Sequence, residues 1–191
     1  MSFRYEVRLS GEGGQGLVLA GKILAEAAAI YDNLNATQSQ SYGPEARGGA
    51  SRSEVIISDD DIDYPKAVNI DLLLALTQES FDRYSTDVKP GGIVIVDEEV
   101  VKQAVPGNFR LLKIPVTQLA REKAGRALVA NIVALGIIAG ISKIVSENAL
   151  KMAIGARVPR GTEELNNKAF QIGLDEARRL IKDKIIEKPG K

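Results

Sequence analysis

The segment from Tyr5 to Ile30 constrains this chain most. Tyr5 to Ser10 alternates, which predicts a strand with Val7 and Leu9 on one face. Gly11-Glu12-Gly13-Gly14-Gln15-Gly16 follows at once, and Leu17 to Ile30 then reads as an Ala- and Leu-rich helix with Lys22 and Glu26 on its polar stripe. A strand that turns through glycines into a helix opens a wound α/β sheet. Gly11, Gly13 and Gly16 have G-x-G-x-x-G spacing. Glycine lets a backbone or a phosphate come close, and the helix N-terminus offers free N–H groups to an anion. Three readings stay open: the glycines serve only helix–strand packing, they bind a dinucleotide, or they face a partner chain or that partner's phosphate-bearing ligand. The dinucleotide reading lacks its ribose-binding acid about 20 residues on, because Asn35-Ala36-Thr37-Gln38-Ser39 carries none and Asp32 comes too early. No Lys-Ser/Thr follows the turn, so it is not a P-loop.

Further units alternate along the chain. Asn35–Ser39, Arg52–Ser58, Asp71–Leu76, Ile93–Val96 and Phe109–Ile114 read as strands, and Lys89-Pro90-Gly91-Gly92 reads as a turn. Gln78–Tyr84 and Thr117–Lys123 read as short helices and Ala127–Ile144 as a long apolar one. Ser146 and Thr162 are expected to cap two more, the last running to about Lys184. The pattern predicts a single α/β domain over residues 1–191, a three-layer α/β/α unit with a mostly parallel, Rossmann-like sheet. Gln38 to Lys66 has no helix between its strands, so one antiparallel or irregular strand is expected there.

The chain of 191 residues has no cysteine and no histidine. Thiolate-held clusters, Cys/His zinc sites, disulfides and Ser-His-Asp or Cys-His catalysis are thereby excluded. No catalytic and no metal-binding residue is assigned. Basic and acidic residues balance at 25 each, so no global field attracts nucleic acid or an anionic membrane. The N-terminus lacks an apolar signal core, and the longest apolar stretch, Ala127–Ile141, is interrupted by Asn131, Gly136 and Gly140. It is short for a membrane span, and a cytoplasmic location is expected.

A second segment stands out: Gln40-Ser41-Tyr42-Gly43-Pro44-Glu45-Ala46-Arg47-Gly48-Gly49. It suits a surface turn. A Tyr and an Arg among glycines also suit recognition, and a loop leaving the carboxyl edge of the sheet would sit beside the glycine turn. Gly11, Gly13, Gly14, Gln15, Gly16, Gln40, Ser41, Tyr42, Gly43, Pro44, Glu45, Arg47, Gly48 and Gly49 are therefore the candidate ligand- or partner-binding residues.

These two motifs together resemble the gamma subunits of 2-oxoacid:ferredoxin oxidoreductases, a domain also fused into single-chain pyruvate:ferredoxin oxidoreductases as their domain III. The resemblance continues through Ser53-Glu54-Val55, Tyr64-Pro65, Pro90-Gly91-Gly92, Asn131 to Gly136 and Pro159-Arg160-Gly161-Thr162. It implies a complex that decarboxylates a 2-oxoacid oxidatively, forms acyl-coenzyme A and reduces ferredoxin. Thiamine diphosphate, Mg²⁺ and the iron–sulfur (4Fe-4S) clusters would belong to alpha, beta and, where present, delta subunits. This chain would bind no cofactor alone, would pack on the catalytic subunits and would help receive coenzyme A. The forms Gln40 to Ser51 and Ile62-Asp63-Tyr64-Pro65 resemble the 2-oxoglutarate type most, with pyruvate and branched-chain types as alternatives. A stand-alone nucleotide-binding module remains the competing reading.

Overall fold

The computed structural model describes residues 3–41, 50–183 and 185–186. Alternation along the first strand, β1 (Arg4–Glu12), sorts its side chains between two faces: Val7 and Leu9 to one, Glu6, Arg8 and Ser10 to the other. After α1 (Leu17–Glu26) come β2 (Asn35–Ser41), β3 (Ala50–Ser58), β4 (Ile70–Ala75), α2 (Gln78–Tyr84), β5 (Val88–Asp97) and β6 (Arg110–Ile114). The chain then turns helical: α3 (Val116–Leu119), α4 (Ala130–Ser142), α5 (Glu147–Arg157) and α6 (Glu163–Lys182). The strands form a six-stranded sheet in the order β2-β3-β1-β4-β5-β6. β3 is antiparallel to both β1 and β2, and β1, β4, β5 and β6 pair in parallel. The strand expected to be antiparallel between Gln38 and Lys66 is thus β3.

The two faces are covered unequally. Val7, Leu9, Val55, Ile57, Leu72, Leu74 and Ile95 pack beneath the helical layer that contains α1 and α4. The other face, with Ile56, Leu73, Val94 and Val96, is covered by Phe81 and Tyr84 of the short α2. Phe109 meets Phe81 edge to face, with centroids 6.5 Å apart. Helix α4 is buried from Ala130 to Ile141, as its nearly uninterrupted apolar sequence predicts. Its outer neighbour is α6, and glycines let the two backbones touch. A Cβ on Gly136 would lie 2.9 Å from Gly173 Cα and closer still to the Phe170 carbonyl.

Some expectations are corrected in detail. The first helix does run to residue 31, but its last turn, Ala27–Tyr31, widens to π geometry. The long helix begins with a tight turn, Ala127–Val129, and ends at Lys143 in the left-handed region. Lys89 to Gly92 lies within β5 rather than between elements. Val88 pairs with Ile70 and Ile93 with Leu72, so residues 89–92 bulge out beside Asp71, whose carboxylate pairs with Lys89. Thr162 stands at the start of α6 without capping it: its hydroxyl donates to the Pro159 carbonyl at 2.7 Å. Ser146 does cap α5, accepting from Ala149 N–H at 3.1 Å.

Buried charges on the α2 face are paired. Arg8 bonds Glu54 at 2.7 Å and also Asp87, and its guanidinium lies 5.0 Å from the Tyr84 ring centroid. At the amino edge, Glu6 Oε2 accepts from the N–H groups of Val68 and Asn69 at 2.6 and 2.7 Å. Next to it, burial holds the Tyr5 phenol well above its usual range, helped by the Asp71 carboxylate.

Candidate functional site at the carboxyl edge

β1 ends in a turn that its own side chains close. Gln15 Oε1 accepts from Glu12 N–H at 2.8 Å, and Gln15 N–H reaches the Glu12 carbonyl at 3.3 Å. The Gln15 amide oxygen is therefore engaged inside the turn. Gly11 belongs to β1, Gly13 and Gly14 form the bend, and Gly16 is the N-cap of α1 with φ of 73°. That left-handed backbone costs a non-glycine residue about 1–2 kcal/mol, and a Cβ there would lie 2.5 Å from Asn131 Nδ2. Around Gly13 and Gly14 nothing lies within 4 Å of an added Cβ, so the bend opens outward. No side chain caps α1, and the first amide with an intrahelical carbonyl is Ala20, bonded to Gly16 at 3.0 Å. Among the described residues, the amides of Leu17, Val18 and Leu19 before it have no intrahelical carbonyl, as at any helix N-terminus.

Asn131, buried in α4, fixes this turn from behind. Its Nδ2 donates to the Gly16 carbonyl at 3.0 Å, and its Oδ1 accepts from Ile132 N–H at 3.0 Å. The sequence holds a signal for it, a lone Asn in an apolar run, because a buried amide needs a partner. Which partner was not legible. On the α2 side a chain of hydroxyls braces the strand ends: Ser10 Oγ lies 2.9 Å from Ser80 Oγ, which lies 2.8 Å from Thr77 Oγ1. Ser51 Oγ donates to the Gly11 carbonyl at 3.3 Å. These residues also escaped the sequence reading, since their contacts cross three elements.

The second motif leaves and re-enters at the same edge. Gln40 pairs with Ser53 and Ser41 with Arg52, while Ala50 lies opposite Glu12 and Ser51 opposite Gly11. The strand register therefore brings both flanks of the polar loop to the glycine turn. Tyr42, Gly43, Pro44, Glu45, Arg47, Gly48 and Gly49 lie outside the described residues. On the far side of Gly16 a cavity of about 250 Å³ is lined by Leu19, Arg126, Leu128, Val158 and Asn166. Leu128 is 73% exposed.

Chemically, this edge supplies backbone donors, hydroxyls and an apolar hollow. The buried carboxylate of Asp97 nearby accepts from Glu99 N–H at 3.0 Å and Thr117 N–H at 2.8 Å, one bond to each oxygen. Asp32, the acid nearest the dinucleotide position, instead accepts from Ser146 N–H at 2.6 Å and Ser146 Oγ at 2.7 Å, bracing α5.

The fold defines an α/β domain with a mostly parallel six-stranded sheet, whose carboxyl edge carries the glycine turn. The chain belongs to the pyruvate ferredoxin/flavodoxin oxidoreductase family, whose profile matches residues 6–176. It is 50% identical to the 2-oxoglutarate synthase subunit KorC of Methanocaldococcus jannaschii, over 94% of this chain and 97% of that one. The crystal structure of a keto/oxoacid ferredoxin oxidoreductase gamma subunit from Geobacter sulfurreducens superposes with a TM-score of 0.86 at 51% identity, covering 93% of this chain and 98% of the other. A 2-oxoglutarate:ferredoxin oxidoreductase from Magnetococcus marinus, solved with 2-oxoglutarate, coenzyme A and succinyl-CoA, matches with a TM-score of 0.81 at 25% identity. That match covers 93% of this chain and 31% of the larger one.

Proposed function

We propose that this chain is the gamma subunit of a multi-subunit 2-oxoglutarate:ferredoxin oxidoreductase. The complex decarboxylates 2-oxoglutarate oxidatively, transfers the succinyl group to coenzyme A and passes the electrons to ferredoxin. The observation that carries the reading is end-to-end similarity to a 2-oxoglutarate synthase subunit, 50% identical over 94% of this chain. The chemistry agrees. With no Cys and no His, the chain offers no thiolate for a cluster and no imidazole for proton transfer; as the family resemblance implies, clusters and thiamine diphosphate with its Mg²⁺ would belong to the alpha, beta and, where present, delta subunits. What the chain contributes is its carboxyl edge. The α1 N-terminus, the open bend at Gly13–Gly14 and the loop containing Tyr42 and Arg47 dock on the catalytic subunits and receive the anionic end of coenzyme A.

The test uses the reconstituted complex. The purified chain alone turns over no 2-oxoglutarate, and adding it to the remaining subunits restores succinyl-CoA formation. Gly13→Asp then probes the bend, since the site has room and φ there is not left-handed. A carboxylate at the helix N-terminus repels phosphate, so the KM for coenzyme A rises about tenfold while Gly13→Ala leaves it unchanged, a difference of about 1.4 kcal/mol. Equal coenzyme A dependence in both variants, with assembly intact, would reduce the turn to scaffold.

A further inference from the structure

Among the described residues, the sheet has two outer strands without a second neighbour, and they are built differently. β6 closes one end with five residues that include Arg110 and Lys113. Charged residues and short length are how a sheet edge avoids pairing with another chain. β2 closes the other end with seven residues, Asn-Ala-Thr-Gln-Ser-Gln-Ser, which carry no charge, no proline and no glycine. Asn35, Ser39, Gln40 and Ser41 are exposed. Among the described residues, β3 is its one sheet neighbour. Among the described residues, the one other hydrogen bond to its main chain comes from its own Gln38, whose Nε2 donates to the Ser39 carbonyl at 3.1 Å. The outward amides and carbonyls of β2 thus form a pairing template that nothing on this strand discourages.

We infer that β2 is an interface between two copies of this chain: the two strands pair antiparallel about a two-fold axis at Gln38 and join the sheets edge to edge. A foreign strand is usually chosen by charge pattern or by pockets for alternate side chains. β2 presents no charge pattern, being made of neutral small or amide side chains. It does complement itself, as an isologous contact requires. Centred on Gln38, the mid-point of the strand, the pairing sets Asn35 opposite Ser41, Ala36 opposite Gln40, Thr37 opposite Ser39 and Gln38 opposite its own copy. Every pair is neutral, and all but Ala36–Gln40 join side chains that each donate and accept. This inference stands independently of the oxidoreductase reading, because it uses only the strand and its place in the sheet.

The full chain is tested by analytical ultracentrifugation with two kinds of variant. Wild type sediments as a concentration-dependent dimer. The double substitution Thr37→Lys with Ser39→Lys places ammonium groups opposite one another on the open face and weakens the dimer at least about tenfold, with circular dichroism unchanged. The absence of cysteine supplies the second measurement. Opposed residues in an antiparallel pair stand about 4.5–5.5 Å apart, within disulfide reach of about 4.4–6.8 Å. Gln38→Cys therefore cross-links copies under mild oxidation, whereas Asn35→Cys, about 20 Å from its own copy at about 3.4 Å per residue, does not. A wild-type monomer at the highest soluble concentration would overturn the inference, as would a dimer that survives the lysines or cross-links equally at both positions. A chain that is monomeric alone, but whose lysine variant fails to join the catalytic subunits, would assign the edge to a partner subunit instead and likewise overturn it.

Discussion

At the scale of single residues, the site rests on Gly16 and Asn131, which are 115 positions apart in sequence and 3.0 Å apart in space. Gly16→Ala forces a side chain into the left-handed region and into the Asn131 amide. The backbone alone costs about 1–2 kcal/mol, and displacing Asn131 adds to it. Gly14→Ala meets the same backbone penalty, with φ of 93°, but in open space. Urea unfolding should therefore rank Gly16→Ala as the more damaging, and the excess should vanish in an Asn131→Ala background. An excess that survives would mean the amide does not set the fit of the turn. The glycine spacing and the strand–turn–helix pattern were legible because they are local. The Asn131 contact was not, because a lone buried amide announces its need without naming its partner. The same distance effect hid Ser51, which supports the turn from β3.

Between elements, the decisive contact is α4 against α6. The apolar run of α4 predicts its burial, and Leu165, Ala169, Ile172, Leu180 and Ile181 give α6 an apolar stripe. That they cross at Gly136 and Gly173 follows only from the packing, since a glycine within a helix signals close approach without saying to what. Gly136→Ala inserts a methyl against backbone: the Gly173 Cα and Leu174 N would each be 2.9 Å away, and no flexible side chain can yield. The helices must separate, at a cost of about 1–3 kcal/mol for overpacking. Calorimetry should show a lower Tm for Gly136→Ala than for Gly155→Ala on α5, where nothing stands within 4 Å. Equal Tm values would show that the α4–α6 crossing is looser than its geometry. At this scale the sequence misled most at Lys89–Gly92: Pro-Gly-Gly has turn chemistry and does bulge, yet hydrogen bonding continues on both sides, so the strand absorbs it.

For the whole molecule, alternating strands and helices predicted the wound sheet, but periodicity could not say that its two faces would be so unequally covered. One face bears the continuous core from Val7 through Leu135 to Phe170. The other bears α2 and a small cluster around Phe81, Tyr84 and Val101. Local opening should follow this division, because the free energy of opening tracks the apolar contacts that must be broken. Hydrogen–deuterium exchange should find α4 and the central strands β1 and β4 slowest, with α2 and residues 98–109 exchanging through partial opening. Two truncations separate the layers. Phe170→Ala empties a fully buried position of the large core and should lower global stability by about 3–5 kcal/mol, speeding exchange in every element limited by global unfolding. Phe81→Ala removes the aromatic contact with Phe109 and should speed exchange in α2 and residues 98–109 while leaving α4 at its wild-type rate. If Phe81→Ala accelerated α4 as much as α2, the two faces would unfold as one cooperative unit.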